Sequence, residues 1–210
     1  MSTSNFFLEK IKYDEHGWNI CADLKVVAIV MGLQRWWAKY SCFKCLWDTR
    51  YSGDQYEINS WPERSSFTTG ENSVINPPLI EPEKGILPAL HIKLGLMKQF
   101  VKAMKETSPV LSYLKSQFSK FSDSKRKEGI FVGAQIRKLF NDGNFEEVMN
   151  LNELRAWLNF KIVVRNFLGK KRKDPTIKTL SKCCLATKVW VAKCLKLHFM
   201  HAHLDFFRTT

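Results

Sequence analysis

Cys42 and Cys45 stand two residues apart in SCFKCLW, the spacing at which two thiolates share one metal ion. Near the other end, LHFMHAH places His198, His201 and His203 within six residues. Thiolate sulfur with imidazole nitrogen is a donor set that suits zinc. On a continuous helix His198 and His201 share a face, whereas His198 and His203 point about 140° apart. Spacing alone therefore prefers His198 with His201, and His203 enters only if the helix ends or bends before it. Cys183, Cys184 and Cys194 are competing ligands. Each half also has a plain reading. Phe43, Leu46 and Trp47 surround the cysteine pair as they would core thiols, and helical histidines are commonly structural or exposed. Asp23 follows the short run Trp18–Ala22 and precedes an apolar stretch. It suits a metal-binding carboxylate at a strand end, but capping the next helix is the weightier reading, because its side chain can accept from free backbone N–H groups.

Two basic runs form the other chemical feature: Lys125, Arg126 and Lys127, and Lys170, Lys171, Arg172 and Lys173. Each is a candidate phosphate contact, and the second also resembles a linker or a nuclear-import signal. The net charge of +13 is uneven. Residues 1–90 hold 9 Lys and Arg against 11 Asp and Glu, whereas residues 91–210 hold 24 against 9. Such asymmetry favours a polyanionic partner, with nucleic acid ahead of an acidic membrane surface.

These side chains need elements to position them. Trp18–Ala22 reads as a brief strand, and Leu24–Ala38 as an apolar, buried helix. Residues 51–89 carry Pro62, Pro77, Pro78, Pro82 and Pro88 and read as an extended arm that wraps over another surface or moves. Leu90, Leu94, Met97, Val101 and Met104 fall on one helical stripe. Helices are also expected over 110–121, 134–140, 144–150, from Leu151 to near Gly169 with a stripe of Leu151, Leu154, Leu158, Ile162 and Val163, and over 180–203. The hydrophobic share of 45%, with 15 Phe and 7 Trp, supports a real core. No run approaches the roughly 18 apolar residues of a membrane span, and the start lacks the pattern of a secretory signal. A nuclear or cytoplasmic location is expected, with no secretion, no membrane association and cysteines free or metal-bound rather than disulfide-bonded.

The blocks ADLKVVAIVMGLQ, CFKCLWDTR, LPALHIKLGLMKQFVKAM, EGIFVGAQIRKLF and LHFMHAHLDFF resemble an uncharacterised family of transposon-derived proteins from invertebrate genomes. More distantly, their order is similar to the Transib-type DDE recombinases, whose RNase H-like core is interrupted by a helical insertion. The resemblance implies a mainly α chain: the helical, zinc-binding insertion region with only a remnant of the α/β core. It divides the chain into a core remnant with the cysteine knuckle (1–50), the proline-rich arm (51–89) and the helical insertion region ending in the histidine cluster (90–210). It implies a structural zinc held by Cys42, Cys45, His198 and His203, with Asp48 as the acid after the cysteine pair. It thereby prefers His203 where helix spacing preferred His201. Asp23 is similar to the second of three acids that bind two Mg²⁺ ions in such enzymes. The first and third acids are expected outside this stretch, and one acid cannot hold two Mg²⁺ ions.

The resulting expectation is a zinc-stapled, DNA-binding, catalytically incomplete protein. A helical protein-interaction module using residues 51–89 and 90–106 is the second expectation. The third is a Mg²⁺-dependent nuclease or transposase completed in trans, by a homodimer or by another partner supplying the acids.

Overall fold

The computed structural model describes residues 8–34, 38–51, 60–87, 89–118, 132–168 and 195–203. Both basic runs lie outside the described residues: Lys125, Arg126 and Lys127, and Lys170, Lys171, Arg172 and Lys173. So do Trp36, Trp37, Cys183, Cys184, Cys194 and most of the expected 180–203 helix. The fold is mainly helical with one small two-stranded parallel sheet. The chain divides into two compact units, residues 1–88 and 89–210.

In the first unit, α1 (Tyr13–His16) stops at Gly17, which adopts a left-handed φ of 59°. Strand β1 (Ile20–Cys21) pairs in parallel with β2 (Gly85–Ile86), Ile20 facing Gly85 and Cys21 facing Ile86. Parallel neighbours require a long crossover. Here the crossover holds α2 (Leu24–Val30), the cysteine knuckle and the proline-rich arm.

Helix α2 is shorter than the apolar run Leu24–Ala38 suggested. Gly32, at φ 64°, turns the chain, and its carbonyl accepts from Ile75 N at 2.8 Å and Asn76 N at 3.1 Å. Leu33 then bridges Val74 in antiparallel fashion. Val27, Ala28 and Val30 are buried, but Val26 and Ile29 are exposed, so the helix is not apolar-packed all round. Residues 60–87 lack long helices, as their prolines dictate, and fold back on the same unit. Leu79 N donates to Val30 O at 2.7 Å and Gln34 N to Ser73 O at 2.7 Å, while Val74, Ile80 and Leu87 are buried.

The second unit is built around α3 (Ala89–Ala103), which packs against α5 (Gly133–Phe140), α7 (Leu151–Asn166) and α8 (Leu195–Ala202). Between them lie α4 (Pro109–Gln117) and α6 (Gly143–Glu147). Ile92, Leu96, Met97, Phe100 and Val101 form the buried face of α3, so Met97 is core, as is Met104 just beyond the helix, while Leu90 is exposed. At Gly95 the Lys196 side chain of α8 occupies the space a Cβ would take.

Trp157 on α7 is the hub of this core. Its ring lies 4.9 Å from Phe145, 5.1 Å from Phe140 and 5.3 Å from Phe100, centroid to centroid. Its indole N–H donates to Glu146 at 3.2 Å, which leaves no unmet donor in the cluster. The helix falls where its periodicity placed it, but of the expected stripe only Val163 is fully buried. Ala156, Trp157, Phe160, Val163 and Val164 point inward, while Leu151, Leu158 and Ile162 are 64%, 40% and 37% exposed. Aromatic bulk, with Glu153 tied inward to Ser108 Oγ at 2.9 Å, outweighs the leucine stripe. Among the described residues no helix is long and apolar enough to cross a membrane.

Candidate metal centre

The knuckle is a closed loop. Thr49 N donates to Lys39 O at 2.9 Å and Thr49 Oγ1 to Ala38 O at 3.1 Å, drawing the ends of residues 38–49 together. Asp48 adds an ion pair to Lys39 at 3.5 Å and accepts from Arg50 N at 2.8 Å. Within the loop Lys44 N donates to Cys42 Sγ at 3.4 Å. Residues 62–64 close its open side: Leu46 N donates to Pro62 O at 2.8 Å, Arg64 N to Lys44 O at 3.1 Å, and Cys45 bridges Glu63.

Both cysteines are buried and free of disulfide. The Cys45 thiol is pushed well above its usual range, first by its hydrogen bond with Cys42, then by burial and by the Cys42 charge. Two buried thiols side by side resist becoming two thiolates unless a cation joins them; a bound metal does so and deprotonates the pair.

The histidine half sits at the end of α8. His198 and His201 are buried within the helix, and His203 is the first residue beyond it, its N–H still bonded to Phe199 O at 3.0 Å. The helix ends where the five-residue spacing requires. The rings of His198 and His203 consequently meet edge to face, with centroids 5.1 Å apart.

Four side chains form a candidate Cys2His2 metal site: Cys42, Cys45, His198 and His203, whose ligand atoms all lie within 4.8 Å of one another. Zinc bonds of about 2.0–2.3 Å set ligand atoms somewhat under 4 Å apart. The donor chemistry fits zinc, and three of the four ligands are buried. Four protein ligands leave no open position for substrate, which is the pattern of a structural rather than a catalytic site. His201 is buried one turn away and stands outside this set.

Residues 2–80, including both cysteines, match the family model described as a domain of unknown function (DUF8703). Residues 89–169 match a second, also described as a domain of unknown function (DUF8704). Searches of curated proteins and of solved structures found no match. His198 and His203 lie beyond both matched stretches. The second match begins at Ala89, the residue at which the second compact unit begins.

Asp23 caps α2. Its Oδ1 accepts from Lys25 N at 2.8 Å and from Val26 N at 2.9 Å. The sequence reading missed Arg64, which is buried against the knuckle and donates to Cys42 O at 3.0 Å. No local pattern announces it, since its partners are main-chain carbonyls. Also missed was Lys93 on α3, whose ammonium lies 5.2 Å from the centre of the Phe140 ring. Burial, and then the Arg137 charge, hold the Lys93 ammonium below its usual range.

Proposed function

We propose that this chain is a transposon-derived DNA-binding protein, zinc-stapled and catalytically incomplete, corresponding to the insertion and zinc-binding region of an RNase H-like DDE recombinase. The observation that carries this reading is the Cys2His2 set. It joins the Cys-x-x-C, followed by Asp48, to a His-x4-His, the pattern by which the sequence resembles those recombinases. The small parallel sheet flanking the knuckle is consistent with a remnant of an α/β core. When bound, zinc would supply a structural cross-link. Cys42 and Cys45 would give it two thiolates, and His198 and His203 two neutral imidazoles.

The DNA half of the reading is supported by charge. Residues 91–210 hold 24 Lys and Arg against 9 Asp and Glu. Lys125, Arg126, Lys127, Lys170, Lys171, Arg172 and Lys173 are proposed as further phosphate contacts. Asp23 is the one acid of a DDE set assigned here, so Mg²⁺ chemistry would need acids supplied in trans. Nuclear or cytoplasmic residence follows from a DNA partner.

The test is duplex binding across a salt series. Log affinity should fall linearly with log salt, and a site engaging six or more phosphates loses roughly 10³-fold between 50 and 200 mM. A flat response would remove the DNA assignment. The alternative, a protein-interaction module, draws support from the exposed Leu151, Leu158 and Ile162 stripe of α7. Binding to an acidic protein without duplex binding would favour it. Mg²⁺-dependent cleavage lost in Asp23→Ala would instead favour a nuclease completed in trans.

A further inference from the structure

Arg64 is a buried cation held almost entirely by main chain. Its Nε donates to Cys42 O at 3.0 Å, one Nη to Tyr40 O at 3.0 Å and the other to Asn72 O at 3.1 Å. The Phe67 ring lies 5.5 Å from the guanidinium carbon, and Arg64 N donates to Lys44 O at 3.1 Å. A buried charge is costly unless every donor is well placed. The groups it engages are not scattered over the fold. Tyr40, Cys42 and Lys44 are alternate residues of the loop that carries both thiols, and Asn72 belongs to the arm that closes over it.

We propose that Arg64 is the positioning residue of the metal centre, its guanidinium tying two carbonyls of the Cys-x-x-C loop, Tyr40 and Cys42, to the Asn72 carbonyl of the arm and so holding both sulfurs in ligating geometry before metal arrives. This rests on the Cys2His2 reading above. The planar fork is what the task requires. Three carbonyls in diverging directions match the N–H groups of a guanidinium, whereas a lysine ammonium on a flexible stem carries equal charge but cannot span them. Removing the clasp frees the carbonyl of a ligand residue itself. The loop then has to be ordered by the metal, at the expense of affinity.

The experiment is a Co²⁺ titration of the full chain, wild type against Arg64→Lys, with zinc affinity measured by chelator competition and helix content by circular dichroism. The expected result is a roughly 10–100-fold loss of zinc affinity, the range for groups that orient metal ligands. At saturating Co²⁺ the d–d bands should also be altered, while helix content is kept. Lysine preserves the charge, so wild-type affinity and bands in Arg64→Lys would overturn the proposal. If that variant folds only with metal, it is refolded in saturating Co²⁺, where a wild-type spectrum again overturns it. Wild-type protein that binds no Co²⁺ would sink the Cys2His2 reading and this inference together, a result distinct from failure of the variant alone.

Discussion

A single carboxylate, Asp23, illustrates how one residue type serves two chemistries. As a cap it needs an acceptor oxygen; as a metal ligand it needs charge. Asp23→Ala should cost about 0.5–2 kcal/mol in urea unfolding, and Asp23→Asn should be nearly neutral, because asparagine caps as well as aspartate. Equal losses in both variants would show that charge, not capping, is what matters there. The ligands divide in a similar way. The cysteine pair was legible because a two-residue spacing is local. The choice between His201 and His203 was not, because it depends on whether α8 ends at Ala202, which helical periodicity does not encode. His201→Ala should therefore lower thermal stability, since the ring is buried, yet leave zinc stoichiometry unchanged. His203→Ala should lose zinc. Elemental analysis of the two variants distinguishes them.

Among the elements, helix positions were easier to read than helix faces. The α7 span followed from periodicity, but two stripes competed on it. The leucine stripe lost to the aromatic one because Trp157 gathers Phe100, Phe140, Phe145 and Phe160 around one ring. Trp157→Ala should cost about 3–5 kcal/mol, whereas Leu158→Ala, on the exposed side, should stay within about 0.5 kcal/mol. Comparable losses would place the core on the other face. Helix α2 was read too long because the apolar run continues on both sides of Gly32. Its left-handed φ, and the Asn76 carbonyl lying where a Cβ would go, make it a stop. Gly32→Ala should cost more than the ~1–3 kcal/mol of backbone strain alone, because the Asn76 carbonyl must move as well. At Lys93 the sign runs the other way. A lysine whose folded pKa is lowered opposes folding while it is charged. Stability should therefore rise as pH climbs from that lowered pKa toward the unfolded value near 10.4. Lys93→Met should raise the melting temperature at neutral pH and weaken duplex binding, which a melt and a binding isotherm would check.

At the scale of the whole molecule, charge and donor chemistry were readable before any coordinates, whereas the support around them was not. The thiols and imidazoles announce a metal by type, but nothing in the chain's local pattern announces that residues 60–76 close the knuckle. Those contacts run to main-chain groups of the knuckle, and their partners are set by the path of the arm. The whole arrangement turns on a single structural zinc. It is tested most directly by elemental analysis of the purified full chain, with thermal unfolding before and after chelation. One zinc per chain is expected, lost on chelation together with a large fall in melting temperature, because metal binding and folding are linked. A chain that carries no zinc and melts identically with and without chelator would contradict it, leaving Cys42, Cys45, His198 and His203 as packing residues.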